Sequence, residues 1–135
     1  YNLKNDYYHQ FTRNTLQFNN TNETFSEIGR YSGVEASDWS WGALLFDMNN
    51  DGLKDVLVAG NLYQSEVETT RNDASYGLFL KNTGKNNFEA IPSLESGISI
   101  KGMVKGIATI KQRNTEKILF TRNNDSLVVY KLNSQ

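Results

Sequence analysis

The sequence predicts an all-β protein in which about two repeat units, each of four short antiparallel strands, follow one another along the chain. Three observations carry that expectation. Apolar runs such as Trp41-Gly-Ala-Leu-Leu-Phe46 and Val56-Leu-Val-Ala-Gly60 are short and are bounded by Gly, Asn and Asp, which is the length and punctuation of strands and not of helices. Proline occurs once, while Gly, Asn, Thr and aromatic residues are plentiful, a composition suited to strands joined by tight polar turns. Blocks of sequence also recur at a spacing of roughly 60 residues. Gly42 of the first run aligns with Gly106 of Lys105-Gly-Ile-Ala-Thr-Ile110, and Ser32-Gly-Val34 aligns with Ser96-Gly-Ile98. Phe25-Ser-Glu-Ile28 aligns with Phe88-Glu-Ala-Ile91, and Asp55-Val-Leu-Val-Ala59 with Lys117-Ile-Leu-Phe-Thr121. Such a period belongs to repeat architectures, in which each unit buries its faces against its neighbours.

Residues 1–13 stand outside the repeat. They carry Tyr1, Tyr7, Tyr8 and Phe11, more aromatic surface than a solvated tail needs, and read as an edge strand or docking segment. His9 is the single histidine and, without acidic or thiol neighbours, reads as a surface or packing residue. The first repeat unit covers residues 14–75, with strands at 16–18, 25–28, 41–46 and 56–59. The second, residues 76–135, has strands at 76–80, 88–91, 105–110 and 118–121, plus a last one at 127–130. The third and fourth strands of each unit are apolar at successive positions, which predicts burial on both faces. Residues 19–23, 83–87 and 122–125 have the Asn, Gly and Asp content of hairpin turns. Between strands, residues 61–73 form a long connection with Glu66, Glu68, Arg71 and Asp73, either a binding loop or a solvated charged face.

The stretch from Asp47 to Asp55, Asp-Met-Asn-Asn-Asp-Gly-Leu-Lys-Asp, carries the strongest chemical signal. Oxygen-bearing side chains fall at positions 1, 3, 5 and 9, namely Asp47, Asn49, Asp51 and Asp55; Leu53 at position 7 offers its carbonyl. Gly52 at position 6 allows the sharp turn that a chain wrapping an ion must make. Ca²⁺ takes six to eight oxygens, and this spacing supplies a set of them from one short loop. An EF-hand would need a Glu at position 12, where Val58 stands, and helices on both sides. The alternative is an Asp/Asn/Gly turn without metal, since these residues dominate turns in any case.

The run from Trp39 to Gly60 resembles an FG-GAP/VCBS repeat, the blade unit of integrin-α-type and bacterial surface β-propellers. The resemblance extends through residues 14–20, 24–28 and 73–80. It implies β-propeller-like blades of four-stranded antiparallel sheets, with the Asp47–Asp55 loop joining the first two strands of a blade and holding Ca²⁺. The corresponding second loop departs from the pattern: Lys111-Gln-Arg-Asn-Thr-Glu-Lys117 places basic side chains where ligands would be, so one metal per chain is expected.

The remaining features bound the function. A formal net charge of −1 over 135 residues leaves no electrostatic footprint for nucleic acid. No apolar run approaches the roughly 20 residues of a membrane span. Without cysteine there is no thiol catalysis and no disulfide. Asn19, Asn22 and Asn124 begin Asn-x-Ser/Thr triplets and Ser126 lies in Asp125-Ser-Leu127, the acceptor patterns of N- and O-glycans. These features together suggest a non-catalytic, calcium-stabilised, secreted or cell-surface segment for adhesion or assembly. Its partners would be other copies of itself or the remaining blades of a longer chain, with glycans as a further possibility. The rival reading is part of a larger propeller enzyme, a lyase or hydrolase acting on polysaccharide, with scattered acids such as Glu66, Glu68 and Glu95 as its candidate groups. Because two units and a stray strand cannot close a propeller, the sequence predicts completion by strand addition from elsewhere, into a ring or a filament.

Overall fold

The computed structural model describes residues 2–5, 12–113 and 115–132. Its element order is β1 (Gln17–Asn19), β2 (Phe25–Glu27), β3 (Ser40–Phe46), β4 (Asp55–Gly60), β5 (Leu78–Gly84), β6 (Asn87–Ile91), α1 (Ser93–Ser96), β7 (Val104–Gln112), β8 (Thr115–Arg122) and β9 (Val128–Lys131). The fold is all-β, as the sequence predicts, and every anticipated strand is present. In space they regroup as antiparallel sheets in the orders β1-β2, β3-β4-β5-β6 and β7-β8-β9. His9 and most of the aromatic N-terminal segment lie outside the described residues; Asn2–Asn5 form a 3₁₀ turn.

Residues 1–36 make one compact unit and residues 37–135 another. In the first, Gln17 pairs with Glu27 and Asn19 with Phe25, and the hairpin is closed by Asn20 N–H to Thr24 O, 3.0 Å. Thr21 and Glu23 turn the chain at φ 63° and 66°. Arg13 pairs with Glu27 at 2.8 Å across the hairpin base. The Glu27 carboxylate also accepts the Gly29 N–H, which holds it below the usual carboxylate range, with Leu16 N–H and the Arg13 charge adding to the effect.

In the second unit two sheets face one another. The repeat inferred from sequence is reproduced in their registers. Gly42 pairs with Ala59, Leu44 with Leu57 and Leu45 with Val56, while Gly106 pairs with Thr121, Ala108 with Leu119 and Thr109 with Ile118. The first strands of the two sheets, β3 and β7, carry a bulge at the same place, between Ser40 and Gly42 and between Val104 and Gly106. The next strands agree too: Leu57 opposes Phe79, and Leu119 opposes Val129.

The core lies between the sheets, formed by Phe46, Leu57, Ala59 and Phe79 from one and Val104, Ile118 and Phe120 from the other. Phe120 meets Tyr130 edge-on at 5.8 Å, a favoured ring geometry. Ile98 and Ile100, in the connection after α1, plug the same core, and the Tyr130 hydroxyl donates to Ser99 O at 3.0 Å to hold that connection down. Each large side chain buried here contributes about 1.5–3 kcal/mol.

One expectation is corrected. Burial on both faces holds for β4, whose residues are all buried, but not for β3, where Trp41, Ala43 and Leu45 are exposed. The reason is position in the sheet: β4 is flanked by β3 and β5, whereas β3 is an edge strand whose Gly42, Leu44 and Phe46 turn toward β7 and the core, with the Lys105 ammonium of β7 lying 3.7 Å over the half-exposed Trp41 ring. The same holds in the other sheet, where Ala108 and Ile110 of β7 are exposed.

The long connection at residues 61–73 is ordered by its own base. Leu62 and Asn72 exchange two main-chain hydrogen bonds of 2.8 and 3.0 Å, and Arg71 lies 4.1 Å over the Tyr63 ring while pairing with Asp73. Asn61, almost fully buried, donates to Ser75 O and Gly102 O, pinning the root of this arm to the second sheet's entry.

Candidate functional site

The loop between β3 and β4 is shaped by its own side chains. β3–β4 pairing ends at Phe46 opposite Asp55, leaving residues 47–54 to make the turn. Asp47 accepts the N–H groups of Asp51 (3.1 Å) and Gly52 (2.9 Å) on its two carboxylate oxygens. Asn49 Oδ1 accepts from Asp51 N at 3.2 Å, and Asp51 Oδ1 from Leu53 N at 2.9 Å. These are Asx turns in series. Gly52 takes φ 86° with open space around the missing Cβ, so glycine is required here by backbone conformation and not by crowding.

Asp51 is exposed, and its carboxylate is held below the ordinary range chiefly by the Leu53 N–H and then by the Asn49 amide, which donates to Oδ2 at 2.8 Å. Asp47 and Asn49 are half-buried, and Leu53 is exposed. Asp55 differs from all of these. It is fully buried, and its carboxylate bridges two elements: Oδ2 accepts Met48 N at 3.0 Å and Oδ1 accepts Asn82 N of β5 at 2.9 Å. Asn82 in turn donates its amide to Lys54 O and accepts Gly84 N, both at 2.9 Å. Asn82 was not singled out by sequence; Asn82-Thr-Gly84 signals a turn, but nothing local signals its partner 27 residues away.

The sequence-predicted residues thus share one loop, each carboxylate bound to main-chain N–H groups. Among the described residues no three Asp, Glu, His or Cys groups converge as a metal-holding cluster. A carboxylate oxygen that accepts one N–H keeps a second acceptor direction, so the loop's donor set remains one of hard oxygens. Beside the loop opens a cleft of about 610 Å³ between the sheets, with Phe79, Ile91, Ile98 and Ile118 in its walls and Lys81 and Glu95 at its polar side.

The counterpart between β7 and β8 has no such loop. Pairing runs on to Gln112 opposite Thr115, and Lys117, at the register place of Asp55, donates to Gln112 Oε1 at 2.8 Å. The glycan-acceptor candidates Asn19, Asn22, Asn124 and Ser126 are all exposed.

Residues 7–58 match the family model described as FG-GAP-like repeat. This segment is similar to an FG-GAP-like repeat. The matched span takes in β1, β2, β3, the Asp47–Asp55 loop and the start of β4; the rest of the chain lies outside it. FG-GAP repeats are typically extracellular and non-catalytic, and no helix among the described residues is long and apolar enough to cross a membrane. No curated protein matches the chain.

Proposed function

We propose that the protein is a non-catalytic, calcium-stabilised extracellular segment for adhesion or assembly, completed by a strand from another copy or from the remaining blades of a longer chain. The observation that carries this reading is the contrast between a four-stranded and a three-stranded sheet of the same repeat. β5 has β6 at its outer side; among the described residues β9 has no strand there. Leu132 N donates to Glu116 O of β8, so by alternation Val129 and Lys131 turn their N–H and C=O groups outward. An open edge of this kind is a template for strand addition, and the cleft beside Tyr130–Leu132 offers room for inward side chains.

Calcium would be held by side-chain oxygens of Asp47, Asn49, Asp51 and Asp55 and by the Leu53 carbonyl. The ion would supply charge neutralisation and cross-linking within the loop, stabilising the fold through preferential binding to the native state. What supports this is that Asp47 and Asn49 both accept from the Asp51 N–H while the Asn49 amide donates to the Asp51 carboxylate, which keeps these three oxygen-bearing side chains within one turn. Secretion suits the modest affinities of extracellular calcium modules.

Light scattering on the full chain and on a chain lacking residues 1–10 tests the assembly. Loss of the larger species on deletion supports strand donation by the N-terminal segment. Two equally stable monomers would refute it.

A further inference from the structure

Trp39 and Trp41 are the only tryptophans in the chain, and both stand at the entry of β3, 42% and 47% exposed. Their ring centroids are 6.0 Å apart at a tilt of 55°, so the exposed parts form one aromatic surface. The bulge in β3 delivers it. Ser40 opposes Gly60 and Gly42 opposes Ala59, which leaves Trp41 as the extra residue, and a bulge of this kind re-aims a side chain. The bulge in β7 does the same for Lys105, whose ammonium lies over the Trp41 ring at 3.7 Å. Strand pairing does not ask for tryptophan here. The β7 counterparts of Trp39 and Trp41 are Met103 and Lys105. Trp39 O accepts Asn61 N at 3.0 Å and Met103 O accepts Asn123 N at 2.9 Å, yet Met103 is buried where Trp39 is not. Trp39 also has a seat of its own: a Cβ on Gly60 would overlap its carbonyl, while Arg122 holds the corresponding place in the other sheet.

We propose that Trp39, Trp41 and Lys105 form a binding site for pyranose sugars that carry a carboxylate, the hexuronate units of acidic polysaccharides. Indole rings offer a flat apolar face with little rotamer freedom to lose. The axial C–H groups of a pyranose present a matching flat face while its hydroxyls stay in water. Lys105 supplies the charge. None of the ion pairs among the described residues, Arg13–Glu27, Arg71–Asp73 and Arg122–Asp125, uses it, so its ammonium, held at the ring, keeps its donors for a ligand carboxylate. A protein partner suits the patch less well, because stable protein interfaces bury about 800 Å² on each side and two half-exposed indoles offer far less. Ala43 and Leu45 prolong the outer side of β3 with neither a ring nor a charge. The inference rests on the adhesion reading above and names its partner class; it uses neither the β9 edge nor the calcium loop.

Because both tryptophans lie in the site, the tryptophan fluorescence of the full chain reports on it alone. Titration with oligogalacturonate and oligomannuronate should shift and quench the emission, and cello-oligosaccharides, the neutral probe, should bind about tenfold more weakly or not at all. Calorimetry then reads the variants. Trp39→Ala and Trp41→Ala should each weaken binding of the acidic probes about tenfold or more. Lys105→Gln should bring them down to the affinity of the neutral probe, and Leu45→Asp, on the same side of β3, should leave them unchanged. All four side chains are exposed, so melting curves should stay near that of the parent; if an alanine variant melts lower, Trp41→Phe and Lys105→Gln decide. No emission change with either acidic probe, equal affinity for acidic and neutral probes, binding that survives both alanine variants, or binding lost in Leu45→Asp overturns the proposal. A chain that ignores every sugar but loses its larger species on deletion of residues 1–10 would refute this site and leave strand donation standing. A monomer that binds the acidic probes would do the reverse.

Discussion

The β3–β4 and β7–β8 hairpins are built on one register and end differently. In one, the strands part after Phe46 and Asp55 and residues 47–54 close on their own carboxylates; in the other, pairing runs to Gln112 and Thr115. The same place holds a fully buried Asp55 in the first and a partly exposed Lys117 in the second. Asp55 accepts hydrogen bonds from the loop and from β5 together, whereas Lys117 only reaches back across its own hairpin. One position therefore decides whether the hairpin is tied into the neighbouring strand. A repeat can keep its strands while gaining or losing a site, because registers are set by apolar faces and loops by a few polar groups.

The largest effect expected from this contrast is that of Asp55→Ala. It would orphan two main-chain N–H groups, at roughly 1–3 kcal/mol for each that stays buried, whereas Lys117→Ala should fall within about 0.5 kcal/mol. Urea unfolding of both variants, in chelator, checks the pair. Equal costs would mean that Asp55 matters only as a charge at that register place and not as a bridge to Asn82. The next effect is metal removal. Chelation should lower the melting temperature of the parent by several degrees, and Asp51→Ala should abolish that sensitivity, while calorimetry should count one ion per chain. A second ion would place ligands in the β7–β8 turn and dissolve the distinction between the hairpins. Smaller again is Gly52→Ala, expected to cost about 1 kcal/mol because φ 86° is a left-handed value; a neutral result in thermal melts would show that the turn relaxes.

Much of this was legible from residues alone. Strand positions and the repeat follow from short apolar runs and glycine punctuation, and Gly42 with Gly106 fixed the alignment that the registers reproduce. The loop was legible because its residues are neighbours in sequence. What escaped were contacts with no local signature. Asn82 supports Asp55 from another strand, Asn61 reaches Gly102 across 41 residues, and the Leu62–Asn72 closure turns an apparent loop into an arm. Exposure of Trp41, Ala43 and Leu45 escaped for another reason: an apolar strand looks the same whether its second face is covered or free.

The smallest expected effect separates a carboxylate held by N–H groups from one that also meets a metal. Glu27 and Asp51 are both lowered, each first by a main-chain N–H. A carboxylate with a depressed folded pKa adds stability that is present above its unfolded value, about 4.3 for Glu and 3.9 for Asp, and is lost as pH falls through the folded value. In chelator, both should titrate below their unfolded values in an NMR pH series, and Glu27→Gln should flatten the acid limb of the stability curve only slightly, since the group is solvent-screened. Added calcium should lower the titration of Asp51 further and leave Glu27 where it was, because protons and the cation compete for the same oxygens only in the loop. If calcium moved both alike, or neither, the loop would be no different from the Arg13–Glu27 hairpin base, and its carboxylates would serve the turn alone.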